Sequence, residues 1–323
     1  MASYHAADGE RLHYWDIGQG PVVLMLHGFG MPSFLWLPFV LPLMGKYRFI
    51  LPDLRGFGAS HRARSSEDSI FTQYAHDLHN LIDHLEIDKP ALVGFSMGAC
   101  TAMEYQRLYG FDNIRSYLQI DQSMHIGHED EQMHGLFGEQ SGPWMKVLQT
   151  MVSDMEALGT HRSFWQLPHV HRRRFWKMFS RFSAAAFSNP LLKRFAGLGR
   201  HEALVKNVAP VSNWPVYLDC IRTFVEHQVD FRQHMAQLPA GLPVWFFVGD
   251  RSEMYPAAGQ LNVKKTIPHA QVVRFHKAGH AVMFDSPVRF IRHLDNFLDQ
   301  TGPRRRARST HKRASAVSSP LEA

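Results

Sequence analysis

Short, largely apolar runs recur along this chain, separated by longer amphipathic stretches, and they restrict the fold more than any other feature. VVLML (22–26), YRFIL (47–51), ALVGF (91–95), RSYLQI (115–120), PVWFFV (243–248) and QVVRF (271–275) are each the length of one strand. A run with no polar alternation suits a strand covered on both faces, as in a parallel sheet. RLHYWDI (11–17) reads as a further strand. Helical periodicity falls between the runs. Residues 72–86 place Tyr74, Leu78, Leu81, Ile82 and Leu85 on one face with Thr72 near the N-cap, and 97–109, 257–265 and 287–299 are also expected to be helices. Strand–helix alternation on this scale implies a parallel sheet with helices on both faces.

The alternation stops near residue 122 and resumes near 241. Between them the chain is rich in Met, His, Arg and Trp and is broken at Pro143, Pro168, Pro190, Pro210 and Pro215. Residues 123–240 therefore read as a helical insertion into a core of 1–122 and 241–300. Residues 301–323, polar and Ser/Arg-rich without apolar period, read as a disordered basic tail.

Charge is unevenly spread around a formal total of +6. Residues 161–206 hold ten Lys/Arg against one Glu, and the tail holds six against one, so the rest of the chain is net acidic. No fold-level nucleic-acid motif accompanies the tail, and nucleic acid is not the expected partner. Two cysteines, Cys100 and Cys220, cannot build a disulfide framework. No run approaches the roughly 18 apolar residues of a membrane span, and the N-terminus lacks signal-peptide order. The expectation is a cytoplasmic protein, either free or peripheral to a membrane.

The chemistry-bearing residues sit at the ends of the runs. GFSMG (94–98) is G-x-S-x-G between a strand and a helix, the context in which such a serine is pushed outward at a tight turn. Ser96 is the candidate nucleophile. HGFG (27–30) follows VVLML, and the backbone N–H groups of Phe29 and Met97 would form a two-donor oxyanion hole. His27 is read as a structural imidazole. His280, in KAGH (277–280) after the last strand, is the candidate general base, singled out by position among 21 histidines. The cluster His125, His128, Glu129, Asp130 and His134 matches no ordered metal-site spacing. Neither a metal nor another cofactor is expected.

With HGFG at 27–30, DLRGFGAS at 53–60, GFSMG at 94–98 and AGHAVMFDSP at 278–287, the sequence resembles the α/β-hydrolase superfamily over about residues 10–122 and 241–300. The resemblance implies an α/β fold with an eight-stranded, mostly parallel sheet, a Ser–His–acid triad, and a cap, here 123–240, inserted after the sixth strand. It gives Asp53 and the glycines of DLRGFGAS a loop-structural role. Most members carry the triad Asp three residues after the Gly that ends the seventh strand. Counted from Gly249, that position holds Ser252. Some members place the acid after the sixth strand, which here is Asp121; Glu253 is the fallback and Asp250 stands behind it.

In the insertion, HRRRFWKMFSRFSAAAF (171–187) is amphipathic, with Phe175, Phe179, Phe182 and Ala186 on one face and Arg173, Lys177 and Arg181 on the other. The aromatic face is expected over the active site and the basic face in water, where it could meet an anionic membrane or an acidic substrate group. Trp144, Trp165, Phe175, Trp176 and Phe179 are the candidate substrate-binding residues, favouring an apolar small-molecule substrate. The expected activity is serine-dependent hydrolysis of a carboxylic ester, thioester or lactone. The alternatives are a cofactor-free haloperoxidase-type perhydrolase, a carbon–carbon bond hydrolase, or a ligand-binding protein on a hydrolase scaffold. The resemblance argues against dehalogenase and epoxide hydrolase chemistry, for which the family uses Asp at the position of Ser96.

Overall fold

The computed structural model describes residues 1–127, 134–159, 163–202, 211, 213–226 and 229–302. Eight strands form one sheet: β1 (Ala2–His5), β2 (Arg11–Gly18), β3 (Val22–Leu26), β4 (Arg48–Asp53), β5 (Ala91–Phe95), β6 (Ser116–Ile120), β7 (Val244–Gly249) and β8 (Gln271–Phe275). Their order is β1-β2-β4-β3-β5-β6-β7-β8. β2 runs antiparallel to both its neighbours, and every other pairing is parallel.

The apolar runs divide their side chains between two cores, as period-two geometry requires. Leu24, Leu26, Ile50 and Leu92 face one core, where they meet α1 (Ile70–His84) and α2 (Met97–Tyr109) through Leu78, Leu81, Cys100 and Met103. Val23, Met25, Phe49, Leu51 and Val93 face the other, which Trp36 shares with Phe290, Leu294, Phe297 and Leu298 of the C-terminal helix Pro287–Thr301.

Between β6 and β7 the described chain is helical: α3 (Ser141–Glu156), α4 (His169–Ala185), α5 (Pro190–Gly197) and α6 (Trp214–Glu226). Its apolar residues Leu148, Met178 and Ile221 belong to the same core as α1 and α2, so this segment covers one face of the sheet. Its links to the sheet's loops are specific. Ser188 and Asn189 donate backbone N–H bonds to Asp285 at 2.8 and 3.0 Å, and Ala281 donates to the Ala186 carbonyl at 2.8 Å. Lys193 pairs with Glu253.

Some local expectations shift. β1 has no apolar run; Tyr4 alone is buried, and pairing with β2 makes it a strand. The helix expected over 72–86 begins at Ile70, with Ser69 rather than Thr72 as N-cap; Thr72 instead donates its hydroxyl to Glu104 at 2.8 Å. The stretch 257–265 is two short helices, Ala257–Leu261 and Val263–Thr266. The amphipathic stretch 171–187 belongs to α4, which starts at His169 and ends at Ala185. His128, Glu129, Asp130 and the tail beyond residue 302 lie outside the described residues. Among those described, no helix is long and apolar enough to cross a membrane.

Candidate active site

Three of the proposed catalytic residues sit at the carboxyl ends of parallel strands: Ser96 after β5, Asp121 after β6 and His280 after β8. Ligands of open α/β sheets bind on this edge.

Ser96 has φ 52° and ψ −120°, a strained combination for a residue with a side chain. The turn is held by Ser96 N–H donating to Ile120 O at 3.2 Å, and by Ala99 and Cys100 N–H donating to Ser96 O at 2.8 and 3.1 Å. A side chain at Gly98 would run into the backbone of Leu26 and His27, so that glycine lets α2 start hard against β3. Met97 opens α2, and a first-turn N–H has no acceptor within its own helix. Gly28 makes the matching approach from the other side; a Cβ there would lie 2.9 Å from the Phe95 ring and 3.3 Å from Ser96 Cβ.

His27 holds the HGFG loop. Leu54 N–H donates to its Nε2 at 2.9 Å, so Nδ1 carries the proton and donates to Gly28 O at 2.8 Å. Complete burial pushes the His27 pKa down and keeps the ring neutral. Asp53 accepts N–H bonds from Ser33 and Ala59 at 2.7 and 2.9 Å, consistent with loop support.

The imidazole of His280 is 2% exposed, and Asp121 is 1% exposed. Their Nδ1–Oδ2 separation is 2.8 Å. The Asp121 carboxylate also accepts from Gly249 N–H at 2.8 Å, Gln260 Nε2 at 2.9 Å and the Ser252 hydroxyl at 2.6 Å. Two donors reach each oxygen, which fills the acceptor capacity of a buried carboxylate. The Ser252 oxygen accepts Tyr255 N–H at 3.2 Å, which turns its own proton toward Asp121. With Nδ1–H donating to Asp121, Nε2 carries the free lone pair. The Phe95 ring, adjacent to Ser96 in sequence, lies 4.9 Å from the His280 ring centroid, which sets the imidazole beside the serine turn.

The other two acids are engaged elsewhere. Glu253 is exposed and paired with Lys193 of α5. Asp250 binds Arg274 Nε at 2.9 Å and His276 Nδ1 at 2.6 Å. Partial burial alone would raise its pKa, but these partners hold it below the ordinary carboxylate value.

Beside Ser96 is a cavity of about 20 Å³ lined by Phe29, Leu136, Leu148, Met178, Phe182, Ile221, Phe224, Met254 and Tyr255. That is room for about one water, so the site is closed in this conformation. None of the five candidate substrate-binding aromatics lines it. Phe175 and Trp176 are fully buried against Phe164 at 5.1 and 5.6 Å, and Trp165 also packs on Phe164, at 5.3 Å. Phe179 reaches the Phe29 ring at 6.1 Å, one residue removed from the cavity, and Trp144 stacks on Phe137 at 4.6 Å. The helical face that reaches Ser96 is set by Met178 and Phe182, which the Phe175–Phe179 spacing only partly indicates. Ser252 was legible as the place where an acid is absent; its role as a donor to Asp121 was not. Gln260 gave no sequence signal.

A model described as the alpha/beta hydrolase family matches residues 23–293. A pimeloyl-[acyl-carrier protein] methyl ester esterase of Legionella pneumophila is 24% identical over 291 residues, covering 89% of this chain and 99% of that protein. Epoxide hydrolase 2 of Siraitia grosvenorii is 38% identical over 117 residues, only 36% of each chain. Among solved structures, an esterase from Exiguobacterium antarcticum superposes with a TM-score of 0.71 at 20% identity, over 92% of this chain and 98% of that one.

Proposed function

The chain belongs to the alpha/beta hydrolase family, and from that premise we propose that it is a serine hydrolase cleaving a carboxylic ester, thioester or lactone with an apolar acyl group. The observation that carries this reading is the 2.8 Å contact between His280 Nδ1 and Asp121, at the strand edge that also bears the strained Ser96.

Ser96 Oγ attacks the carbonyl carbon while its proton passes to His280 Nε2. Asp121 fixes the tautomer and stabilises the imidazolium. The N–H groups of Phe29 and Met97 receive the developing oxyanion. His280 returns the proton to the departing alkoxide or thiolate, leaving an acyl-Ser96 ester. Water then attacks, its proton taken by His280 and returned to Ser96 Oγ as the acid departs. The apolar cavity wall supports an apolar acyl group, and the acyl methyl ester named for the Legionella relative is in line with it. Ser96 offers a hydroxyl where the epoxide hydrolase resemblance calls for a carboxylate, which favours acyl transfer. Ser252 in place of the expected acid is the feature that favours a non-catalytic scaffold; the carboxylate against His280 supports the catalytic reading instead.

The test is turnover of p-nitrophenyl esters from acetate to decanoate. Wild type is expected to be active, with kcat about 10³-fold or more lower in Ser96→Ala. Absence of Ser96-dependent turnover at every chain length would overturn the reading.

A further inference from the structure

A second concave site lies on the outer side of the helical segment, between α3 and α4. It is a groove of about 690 Å³, within the roughly 300–1,000 Å³ typical of small-molecule sites. Trp144, Val147, Met151, Met155 and Met178 give it an apolar lining. Val147 is 40% exposed, and the other four are buried with one side toward the groove.

The groove's other lining residues are strongly basic. Lys146, Lys177 and Arg181 are exposed, and among the described residues no carboxylate pairs with them. Arg174 is joined at 2.9 Å by Asp154, the one acidic residue lining the groove. Thr150 and His171 complete the polar lining. The Arg181 guanidinium rests over the Trp144 ring at 4.6 Å, which fixes one cation at the edge of the apolar lining. Three uncompensated cations around an apolar trough complement a ligand that is itself divided into an apolar tail and an anionic head. The trough is concave, whereas a helix that lies on a bilayer presents a protruding apolar face.

We propose that this groove binds one molecule of a single-chain amphiphile with an anionic head, an alkyl carboxylate or alkyl phosphate. The tail lies along Trp144, Met151 and Met178, and the head meets Lys146, Lys177 and Arg181. Met178 lines both this groove and the cavity beside Ser96. Met178 therefore lies between the bound tail and the cavity beside Ser96. The site does not depend on the hydrolase reading, because binding needs no turnover.

Isothermal titration of the full chain with monomeric dodecyl phosphate tests this, in wild type and in Ser96→Ala. Saturable one-to-one binding is expected in both, weakening as salt rises. Dodecyltrimethylammonium should bind about tenfold or more weakly, and Lys177→Glu/Arg181→Glu should lose about tenfold in affinity for the phosphate. Both substituted side chains are exposed, so the double variant is expected to fold. Should the double variant misfold, the wild-type salt titration decides, and salt-insensitive binding overturns the proposal. So do equal affinity for the two head groups, unaltered binding in a folded double variant, or binding to anionic vesicles without binding to the monomer. That last outcome would make the surface a membrane contact.

Discussion

A buried carboxylate that orients an imidazole needs donors on its remaining lone pairs. Asp121 meets this through His280, Gly249, Gln260 and Ser252. Ser252 is thus a positioning residue, acting through Asp121. Removing a hydrogen bond to a charged group costs about 1.5–3 kcal/mol. Ser252→Ala is expected to lower kcat about 10- to 100-fold with KM little changed, and Ser252→Thr to restore most of it; steady-state kinetics on one ester reads both. His27 gives a pH signature. Its folded pKa lies below the ordinary value near 6.5, so the unfolded chain takes up the proton first. Its contribution is complete above about pH 6.5 and is lost as pH falls below it, at no more than about 1.4 kcal/mol per pH unit. Denaturant melts between pH 7.5 and 5.5 should show that fall, with a shallower slope in His27→Asn.

At the scale of elements, the serine turn depends on how closely α2 approaches β3. Gly98→Ala places a methyl group against the Leu26 and His27 backbone, and neither strand nor loop can withdraw without losing sheet bonds. The expected loss is about 1–3 kcal/mol, measured by chemical denaturation. The same closeness explains why this turn was legible in sequence: two glycines around a serine, after ALVGF and before a helix, admit few geometries. The buried strands were legible because their runs lack polar alternation. β1 was not, since a four-residue edge strand with one buried side chain carries no such pattern. The helices between β6 and β7 were legible as amphipathic, but not which residue of α4 meets Ser96. That depends on the rotation of α4 about its axis, which packing against α3 and Phe29 decides. Hence Met178 and Phe182 line the cavity while Phe175 and Trp176 build the segment's own core.

Over the whole molecule, the site is assembled from strand ends far apart in sequence, and the helical segment closes it. A cavity of about 20 Å³ is small for an acyl ester, so on the proposed activity substrate entry is expected to need a shift of that segment, as lids make in many enzymes. Its links to the sheet's loops, Ser188 and Asn189 to Asp285 and Lys193 to Glu253, are the contacts such a movement must break or pivot on. The order of strands decides which acid serves His280. β6 and β7 are neighbours, so a hydroxyl after β7 reaches the carboxylate after β6 that holds the imidazole, a pairing that linear distance conceals. The most direct measurement compares kcat of Asp121→Asn and Glu253→Gln on one activated ester. The expected result is a loss of about 10⁴-fold in Asp121→Asn, as for a triad whose histidine loses its anion, and Glu253→Gln within about twofold of wild type, as for an exposed ion pair. Full activity in Asp121→Asn with loss in Glu253→Gln would contradict it.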